Sequence, residues 1–457
     1  MAKGRSFLAI NESINPERYI IATFYVDPTE MNLLEAAEAI ASESSIGTWT
    51  SLSTMTDKIF SSLAPKIFNV KYLDEDNNPR TEEGVVKIAY PLSLWEEGSV
   101  PQLLSAVAGN VFGMKAIDNL KLLDLEFPSE YLKAFDGPEF GIDGIRKITE
   151  IYDRPLIGTI VKPKCGLPTE LHAEVAYDSW VGGCDVVKDD ENLTDQDFNP
   201  FEKRVIETLK KRDKAEKKTG KKKIYVVNIT GTADQMLERA KFVKQHGGRC
   251  IMIDILTAGF AGVQYIRRQN LGMLIHGHRA MHAAFTNDPY HGISMMVVAK
   301  AARLSGVDQL HTGTVIGKME GPKDAVLKIN QSMRAKEGWD KLKTTMPIAS
   351  GGLHPGHTEK LIQILGKDFI VNYGGGIHGH PDGTLDGAKA VYQSVEAALQ
   401  GRRVFDVIRD PKYKALARAI EKWGVYGAEK EKHDDTYRFK LIDDFLEVQV
   451  SAQDFAA

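Results

Sequence analysis

The stretch LIGTIVKPKCGLPTELHAEVAYDSWVGGCDVVKDDENL (residues 156–193) contains two short apolar runs, LIGTIVK and CDVVK, on either side of a segment with helical spacing. Apolar runs that alternate with helices predict parallel strands joined by crossovers. Eight such runs in about 270 residues favour a closed (β/α)8 TIM barrel, and an open, doubly wound sheet is the structural alternative. The other six runs are IYVVNI (224–229), CIMIDI (250–255), MLIH (273–276), DQLH (308–311), MPIAS (346–350) and DFIVNY (368–373).

The part of the chain before the barrel has a mixed pattern. Tyr19–Val26 and Gly84–Tyr90 have the composition of strands, whereas Met31–Ser44 and Pro101–Met114 carry apolar residues at helical spacing. A stretch rich in Gly, Pro and Asp, Ala134–Gly144, is typical of a domain boundary. We therefore predict an α/β protein with an N-terminal α+β domain (1–137), a catalytic barrel (138–426) and a charged C-terminal tail (427–457) that either docks or is partly disordered.

Composition limits the class of protein. The chain has 457 residues, 43% of them apolar, and 58 Lys and Arg against 62 Asp and Glu, for a net charge of −4. This balance argues against nucleic acid or a membrane as the main partner. Three cysteines, Cys165, Cys184 and Cys250, cannot form a disulfide framework, and no signal peptide or long apolar segment is evident. We expect a cytoplasmic enzyme.

The second run ends in Lys188-Asp189-Asp190-Glu191, and barrel active sites lie at the C-terminal ends of the strands. Strand alternation places Lys188 and Asp190 on one face, with Glu191 just beyond the last rung. Two carboxylates favour Mg2+. The lysine could join them as a ligand if CO2 carbamylated its amine, which would supply an oxygen and a negative charge. The alternative is that Lys188 simply neutralises two surface acids.

Glycine clusters follow the last two runs, SGG at 350–352 and GGG at 374–376. Barrels commonly bind phosphate on these loops, where glycine lets the backbone approach the anion. Arg279, His311 and Lys318 lie on other loops and could bind a second anion, which indicates a substrate with two phosphates or similar groups. Arg279 could instead form an ion pair at the barrel rim.

The sequence His276-Gly277-His278 also suggests a zinc hydrolase with a carbamylated lysine between two metals. That family carries its His-x-His on the first strand and its lysine on the fourth. Here the lysine precedes the histidines, so this interpretation is disfavoured.

Taken together, the motifs resemble the large subunit of ribulose-1,5-bisphosphate carboxylase/oxygenase (Rubisco), in the same order over about residues 17–425. The residues of several motifs resemble those of the archaeal-type form III group, and the residues of others resemble those of the form II and II/III groups. We expect a form III or II/III enzyme that works without small subunits. The motifs are ESSIGTWT (43–50), GNVFGMKA (109–116), GTIVKPKCG (158–166), GGCDVVKDDENL (182–193), HGHRAMHAAF (276–285), HTGTVIGKMEG (311–321), SGGLHPG (350–356) and NYGGGIHGHPDG (372–383).

The resemblance implies Mg2+-dependent enolisation of ribulose 1,5-bisphosphate, addition of CO2 or O2, hydration, and cleavage to two 3-phosphoglycerates. It implies that carbamylated Lys188 holds Mg2+ with Asp190 and Glu191, and that the carbamate takes the C3 proton. Lys162 would assist enolisation and protonate the product. The family roles of hydration and of CO2 orientation fall to His278 and Lys318.

The resemblance also implies two phosphate sites and a catalytic homodimer or an assembly of dimers. One site would use Arg279, His311 and Ser350. The other would use Gly351, Gly352, Gly374, Gly375, Thr48 and Trp49. Further substrate-binding candidates are Lys162, Lys164, Lys318, Asn372 and Tyr373. Residues expected from a second subunit are Glu43, Thr48, Trp49 and Asn110.

Two other functions fit parts of the pattern. A Rubisco-like enolase of methionine salvage would keep the metal site, but the presence of Lys162, His278 and Lys318 argues against it. A non-catalytic barrel that merely binds sugar phosphates would be expected to have lost Lys162, Lys188 or Asp190, and none is lost.

Overall fold

The strands of the described chain fall into three sheets. The computed structural model describes residues 5–29, 31–48, 50–73, 83–316, 323–433, 436–441 and 447–451. The strands are β1 (Tyr19–Pro28), β2 (Lys66–Tyr72), β3 (Gly84–Pro91), β4 (Ile117–Glu126), β5 (Leu156–Ile160), β6 (Val186–Lys188), β7 (Ile224–Asn228), β8 (Cys250–Asp254), β9 (Leu274–His278), β10 (Gly292–Ile293), β11 (Gln309–His311), β12 (Met346–Ser350), β13 (Ile370–Tyr373), β14 (Ala428–His433), β15 (Thr436–Leu441) and β16 (Glu447–Ser451).

Helices connect and cover these strands. They are α1 (Leu33–Glu43), α2 (Asp57–Leu63), α3 (Val100–Val107), α4 (Ser129–Leu132), α5 (Gly141–Thr149), α6 (Thr169–Gly182), α7 (Phe201–Thr219), α8 (Ala233–Gln245), α9 (Gly259–Arg268), α10 (Ala283–Thr286), α11 (Met295–Ser305), α12 (Lys323–Arg334), α13 (Thr358–Leu365), α14 (Gly375–His378), α15 (Thr384–Leu399), α16 (Val404–Val407) and α17 (Lys414–Trp423). Short 3-10 helices occur at Pro16–Arg18, Leu92–Leu94, Asn110–Gly113, Pro355–His357 and Pro411–Tyr413.

The eight predicted runs form a closed parallel barrel in the order β5-β6-β7-β8-β9-β11-β12-β13. Closure is made by β13, which pairs with β5 through Ile370 and Leu156. The prediction of a TIM barrel is therefore confirmed, and the open sheet is excluded. Because side chains alternate along each strand, one set of apolar residues fills the barrel interior and the other packs against the helices.

The N-terminal α+β domain is built on a five-stranded sheet in the order β10-β4-β1-β3-β2. Its edge strand β10 comes from the loop after β9 and pairs with β4, so the barrel itself completes this sheet. The helix predicted over Pro101–Met114 ends at Val107. The chain turns after this residue, and the turn requires glycine at position 109. A Cβ on Gly109 would lie only 2.1 Å from the Ser105 carbonyl oxygen.

The described part of the C-terminal tail is a three-stranded antiparallel sheet, β14-β15-β16. Phe439 of β15 is fully buried, with its ring centroid 5.0 Å from that of Phe405 in α16. In the described part of the tail, β15 therefore packs on α16 through this aromatic pair. Among the described residues no helix has the length and apolar character needed to cross a membrane.

Helix α5 closes the N-terminal end of the barrel. Its Ile142 and Ile145 join the same apolar cluster as the interior residues of the strands. The fully buried Asp308, which precedes β11, accepts hydrogen bonds from the backbone N–H groups of Phe140 (2.7 Å), Gly141 (3.0 Å) and Ile275 (3.0 Å). One carboxylate therefore ties the first turn of α5 to β9 and β11.

We expect Asp308→Ala to lower the free energy of unfolding by about 3 kcal/mol, because it leaves three buried N–H groups without acceptors. Chemical denaturation at fixed protein concentration measures the loss. The control is Asp143→Ala on the same helix, which removes only an exposed ion pair with Lys336 and should have little effect. Equal losses in the two variants would contradict this account.

Candidate active site

The end of β6 supplies the central group of the site. Lys188 is the last residue of the strand, and both Lys188 and Asp190 are 1% exposed, whereas Glu191 is partly open to solvent. Lys188 Nζ lies 3.8 Å from Glu191 Oε2, and Lys162 Nζ, from the loop after β5, lies 2.7 Å from Asp190 Oδ2. Lys164 Nζ is 3.3 Å from Glu191 Oε1. The structure thus brings three lysines and two carboxylates together at the C-terminal end of the barrel.

The Lys188 amine is in an environment that disfavours its charge. Burial lowers the pKa of Lys188, although Glu191 and Asp190 act in the opposite direction. Its nearest contacts are the Asp189 carbonyl oxygen at 2.9 Å and Met252 Sδ at 3.6 Å. A neutral amine is the form that can react with CO2, so this burial suits carbamylation.

Asp189 lies between the two inward-facing residues and points the other way, and no role was predicted for it. Its carboxylate accepts hydrogen bonds from Tyr225 OH (2.6 Å), the Asn228 backbone N–H (3.0 Å) and Arg204 Nε (3.4 Å), and His172 Nε2 lies 3.2 Å away. Burial opposes its ionisation, but Arg204 and these hydrogen bonds lower the pKa of Asp189 to about 2. The fixed carboxylate anchors the strand end that carries Lys188.

Asn228 at the end of β7 holds the loop that follows. Its side-chain amide donates to the carbonyl oxygens of Glu191 (3.1 Å) and Asp190 (3.3 Å). A polar residue at the C-terminal end of a barrel strand was the signal that could have identified it from the sequence.

His278 at the end of β9 lies between two carboxylates. Its Nδ1 is 3.0 Å from Asp254 Oδ1, and its Nε2 is 3.6 Å from Glu191 Oε2. Burial raises the pKa of Glu191. The charges of Lys188, His278 and Lys164 act in the opposite direction and outweigh burial, so that the pKa of Glu191 is lowered to about 2. His278 therefore borders the same carboxylate as Lys188.

His311 and Arg279 lie beside this centre. The His311 ring centroid is 4.7 Å from that of His278, and burial lowers the pKa of His311 well below its ordinary value. Arg279 lies against the loop after β11. A Cβ on Gly313 in that loop would be 3.1 Å from Arg279 Nη2. Together with His282, Arg279 and Gly313 line a cavity of about 790 Å³.

Arg279 is a partly buried cation, and the burial it does have lowers its pKa to about 10. Within the described part of the chain no carboxylate pairs with it, so the rim ion pair considered as an alternative is not formed there. A partly buried guanidinium that lines a cavity and has no carboxylate partner among the described residues is suited to binding an anion.

The two glycine-rich loops are neighbours. A Cβ on Gly376 would lie 2.2 Å from the Leu353 carbonyl oxygen, so the loop after β13 packs directly on the loop after β12. A Cβ on Gly374 would lie 3.5 Å from Lys162 Cε, which places this pair of loops next to the lysine. Ser350 is the last residue of β12 and is followed by Gly351 and Gly352 in the first loop, while Gly375 begins α14 directly after Gly374.

Two predicted site residues on β13 differ in placement. Asn372 is 1% exposed, and its amide atoms have no hydrogen-bond partner among the described residues, while a Cβ on Gly158 would lie 1.9 Å from its Oδ1. Tyr373 faces the other way, and its hydroxyl lies 2.6 Å from Thr358 Oγ1 in the packing between barrel and helices. The structure does not bring the Tyr373 side chain to the lysines.

The predicted residues of the N-terminal domain form a separate group. Asn110 Nδ2 donates to Glu43 Oε1 at 3.4 Å. Glu43 and Thr48 line a cavity of about 470 Å³ whose walls come from the N-terminal domain alone. Trp49 and Lys318 lie outside the described residues. These N-terminal residues do not join the barrel site of the same chain.

The fold and the site define a class of protein: a (β/α)8-barrel enzyme with a buried lysine beside two carboxylates and with two glycine-rich loops next to them. Two family models match the chain, the ribulose bisphosphate carboxylase large chain N-terminal domain over residues 10–131 and the catalytic domain of the same chain over residues 141–423. The chain belongs to the ribulose bisphosphate carboxylase large-chain family.

Curated relatives and solved structures agree with this assignment. A protein of Methanocaldococcus jannaschii named ribulose bisphosphate carboxylase is 47% identical over 404 residues, which cover 86% of this chain and 94% of that protein. Octameric Rubisco from Pyrococcus horikoshii, solved with sulfate, superposes with a TM-score of 0.85 at 46% identity, over 92% of this chain and 96% of that one. Dimeric archaeal Rubisco from Hyperthermus butylicus has a TM-score of 0.83 at 44% identity, over 91% and 98%.

Proposed function

We propose that this protein is a ribulose-1,5-bisphosphate carboxylase/oxygenase, which converts ribulose 1,5-bisphosphate, CO2 and water to two 3-phosphoglycerates, with competing oxygenation. The observation that carries the proposal is the group formed by Lys188, Asp190, Glu191 and Lys162 on one side of the barrel mouth, with the unpaired Arg279 close by. The names of the relatives favour this activity over the enolase of methionine salvage.

The chemistry of the donor set fits Mg2+, and a modified Lys188 would complete it. No cluster of three His, Cys, Asp or Glu side chains suited to a metal occurs among the residues described. Asp190 and Glu191 supply two carboxylates, and a carbamate on Lys188 would supply the third oxygen ligand. When bound, the ion would act as a Lewis acid that stabilises negative charge on the substrate oxygens.

The remaining residues act as proton donors and as positioning groups. The Lys162 ammonium, held by Asp190, would donate a proton to the carbon that becomes part of the product. His278, held between Asp254 and Glu191, would assist the hydration step. Lys318 is proposed, from the family resemblance, to orient CO2.

The phosphates would bind at two sides of this centre. Arg279, His311 and Ser350 would take one phosphate, and the packed loops carrying Gly351, Gly352, Gly374 and Gly375 the other. We further propose that Asn372 and Lys164 bind the substrate between the two phosphates. The proximity of Gly374 to Lys162 supports the second of these phosphate positions.

We also propose a homodimer as the smallest catalytic unit, without small subunits. Glu43, Thr48 and Asn110 are distant from the barrel site of their own chain and would complete the site of a partner. The solved neighbours are a dimer and an octamer, and both agree with an assembly built from dimers.

Labelled bicarbonate tests the proposed reaction directly. Protein incubated with ribulose 1,5-bisphosphate, Mg2+ and 14C-bicarbonate should form labelled 3-phosphoglycerate, and prior incubation with bicarbonate and Mg2+ should raise the initial rate. Absence of acid-stable label at every protein concentration would overturn the proposal.

Arg279→Leu should raise the KM for ribulose 1,5-bisphosphate about 30-fold, since a hydrogen bond to a charged group contributes about 2 kcal/mol. It should leave the melting temperature of the ligand-free protein unchanged or raise it slightly, because it removes a partly buried charge that has no carboxylate partner among the described residues. Steady-state kinetics and thermal denaturation measure the two effects.

The matched control is Arg303→Leu. Arg303 is fully buried and donates to the carbonyl oxygens of five residues, Ser332, Met333, Ala335, Leu342 and Lys343. Its loss should lower the melting temperature because those carbonyls lose their donor. If Arg279→Leu destabilises the protein as much as Arg303→Leu does, Arg279 is structural.

A further inference from the structure

A row of three buried side chains connects the barrel interior to the proposed phosphate site. Gln309 and His276 face each other on the paired strands β11 and β9, both fully buried, and His311 is 5% exposed. Gln309 Oε1 lies 3.0 Å from His276 Nδ1, and His276 Nε2 lies 3.0 Å from His311 Nε2. The row runs from an amide through one imidazole to the next.

The distance between the two rings restricts their protons. Two ring nitrogens 3.0 Å apart share one hydrogen, so one ring donates and the other accepts. Burial lowers the pKa of both His276 and His311 well below the ordinary value, and a neutral imidazole carries its hydrogen on one nitrogen only. If His276 carries its hydrogen on Nε2, His311 must therefore carry its own on Nδ1. If His311 carries its hydrogen on Nε2, His276 must carry its own on Nδ1.

Phosphate binding requires one of the two arrangements. A phosphate dianion offers only acceptors, so His311 must present Nδ1–H to it, and its Nε2 must then accept from His276. His276 Nδ1 is then without a hydrogen and needs a donor. Gln309 has one, because its Nε2 has no hydrogen-bond partner among the described residues. A half-turn of the Gln309 amide exchanges its Oε1 and Nε2 atoms, which occupy equivalent positions. Nε2–H then points to His276 Nδ1.

We propose that Gln309 is a positioning residue that fixes the tautomer of His311: its amide donates to His276, His276 donates to His311, and His311 thereby presents Nδ1–H to a phosphate group. This inference rests on the proposed role of His311 in binding the substrate. It assigns a function to a buried glutamine that contacts neither the substrate nor the lysine–carboxylate group in the contacts described above.

Sulfate is a suitable probe, because it is a tetrahedral dianion that does not titrate near neutral pH. We expect wild-type protein to bind sulfate without net proton uptake, as measured by titration calorimetry in buffers of different ionisation enthalpy. Uptake of about one proton per sulfate that disappears in a His311→Gln variant would show that His311 becomes charged on binding, and it would overturn the proposal.

A double-mutant cycle tests the connection. Gln309→Met, which keeps the side-chain length but removes the N–H, should weaken sulfate binding about tenfold in the wild-type background. In a His311→Gln background it should change the affinity less than about twofold, because there is no tautomer left to select. Equal losses in both backgrounds would show that Gln309 acts only through packing.

The outcomes separate this inference from the proposed reaction. Coupling in the sulfate cycle without labelled phosphoglycerate would retain the tautomer assignment and reject the carboxylase. Carboxylation without coupling would do the reverse.

Discussion

Lys188→Met is expected to reduce carboxylation by a factor of about 1,000 or more while the barrel stays folded. The variant lacks the amine on which CO2 would form the carbamate, and it therefore lacks one of the three proposed Mg2+ ligands. The amine is buried beside Glu191, and methionine has a similar length without the nitrogen. The measurement is 14C fixation by the purified variant after incubation with bicarbonate and Mg2+. A second readout is the 13C signal of a lysine carbamate, which should be present in wild-type protein and absent from the variant.

The matched control is Lys223→Met. Lys223 is also 1% exposed, but it precedes β7 and donates to the Cys184 carbonyl oxygen (2.7 Å), at the opposite end of the barrel from the site. This variant should keep its activity and its carbamate signal. If Lys188→Met retains more than about a tenth of wild-type activity, the assignment of Lys188 is wrong.

Asp189→Ala is expected to lower the free energy of unfolding by about 3–5 kcal/mol, since it leaves the buried Arg204 without its carboxylate. Tyr225 OH and the Asn228 N–H lose their acceptor as well. Because Asp189 fixes the end of β6, activity should also fall, although Asp189 does not face the site. Chemical denaturation and 14C fixation measure the two losses.

Two comparisons make the result specific. Asp213→Ala removes an exposed carboxylate that pairs with Arg212 on the same helix as Arg204, and it should cost no more than about 1 kcal/mol. The double variant Asp189→Leu with Arg204→Met removes both charges and should recover part of the stability lost in Asp189→Ala. If the double variant is the less stable of the two, the buried charge is not the cause.

Much of the fold could be predicted from short-range patterns. Each barrel strand was visible as an apolar run between helical segments, and all eight runs appear in the closed barrel. The helix predicted at Pro101–Met114 was too long, because a close approach at Gly109 ends it. Strands β2 and β4 were not predicted at all. In the sheet they pair with the predicted strands, β2 with β3 and β4 with β1.

The candidate site could be predicted in part for the same reason. Lys188, Asp190 and Glu191 are consecutive or nearly so, and strand alternation alone places the first two on one face. Asp189 was passed over, because its partners His172, Arg204 and Tyr225 come from three different elements. No local pattern relates residues that are brought together only when helices pack on the barrel.

The sequence by itself determined the class of fold, the lysine–carboxylate group and the family, since these depend on periodicity and on motifs of adjacent residues. Only the tertiary structure decided that the sheet closes through β13 and β5, that Arg279 has no partner in the described chain, and that Gln309, His276 and His311 form a row. The physical reason is that strand register and burial are set by packing of the whole barrel. Hydrogen-bond partners and unpaired charges follow from that packing and not from the spacing of residues along the chain.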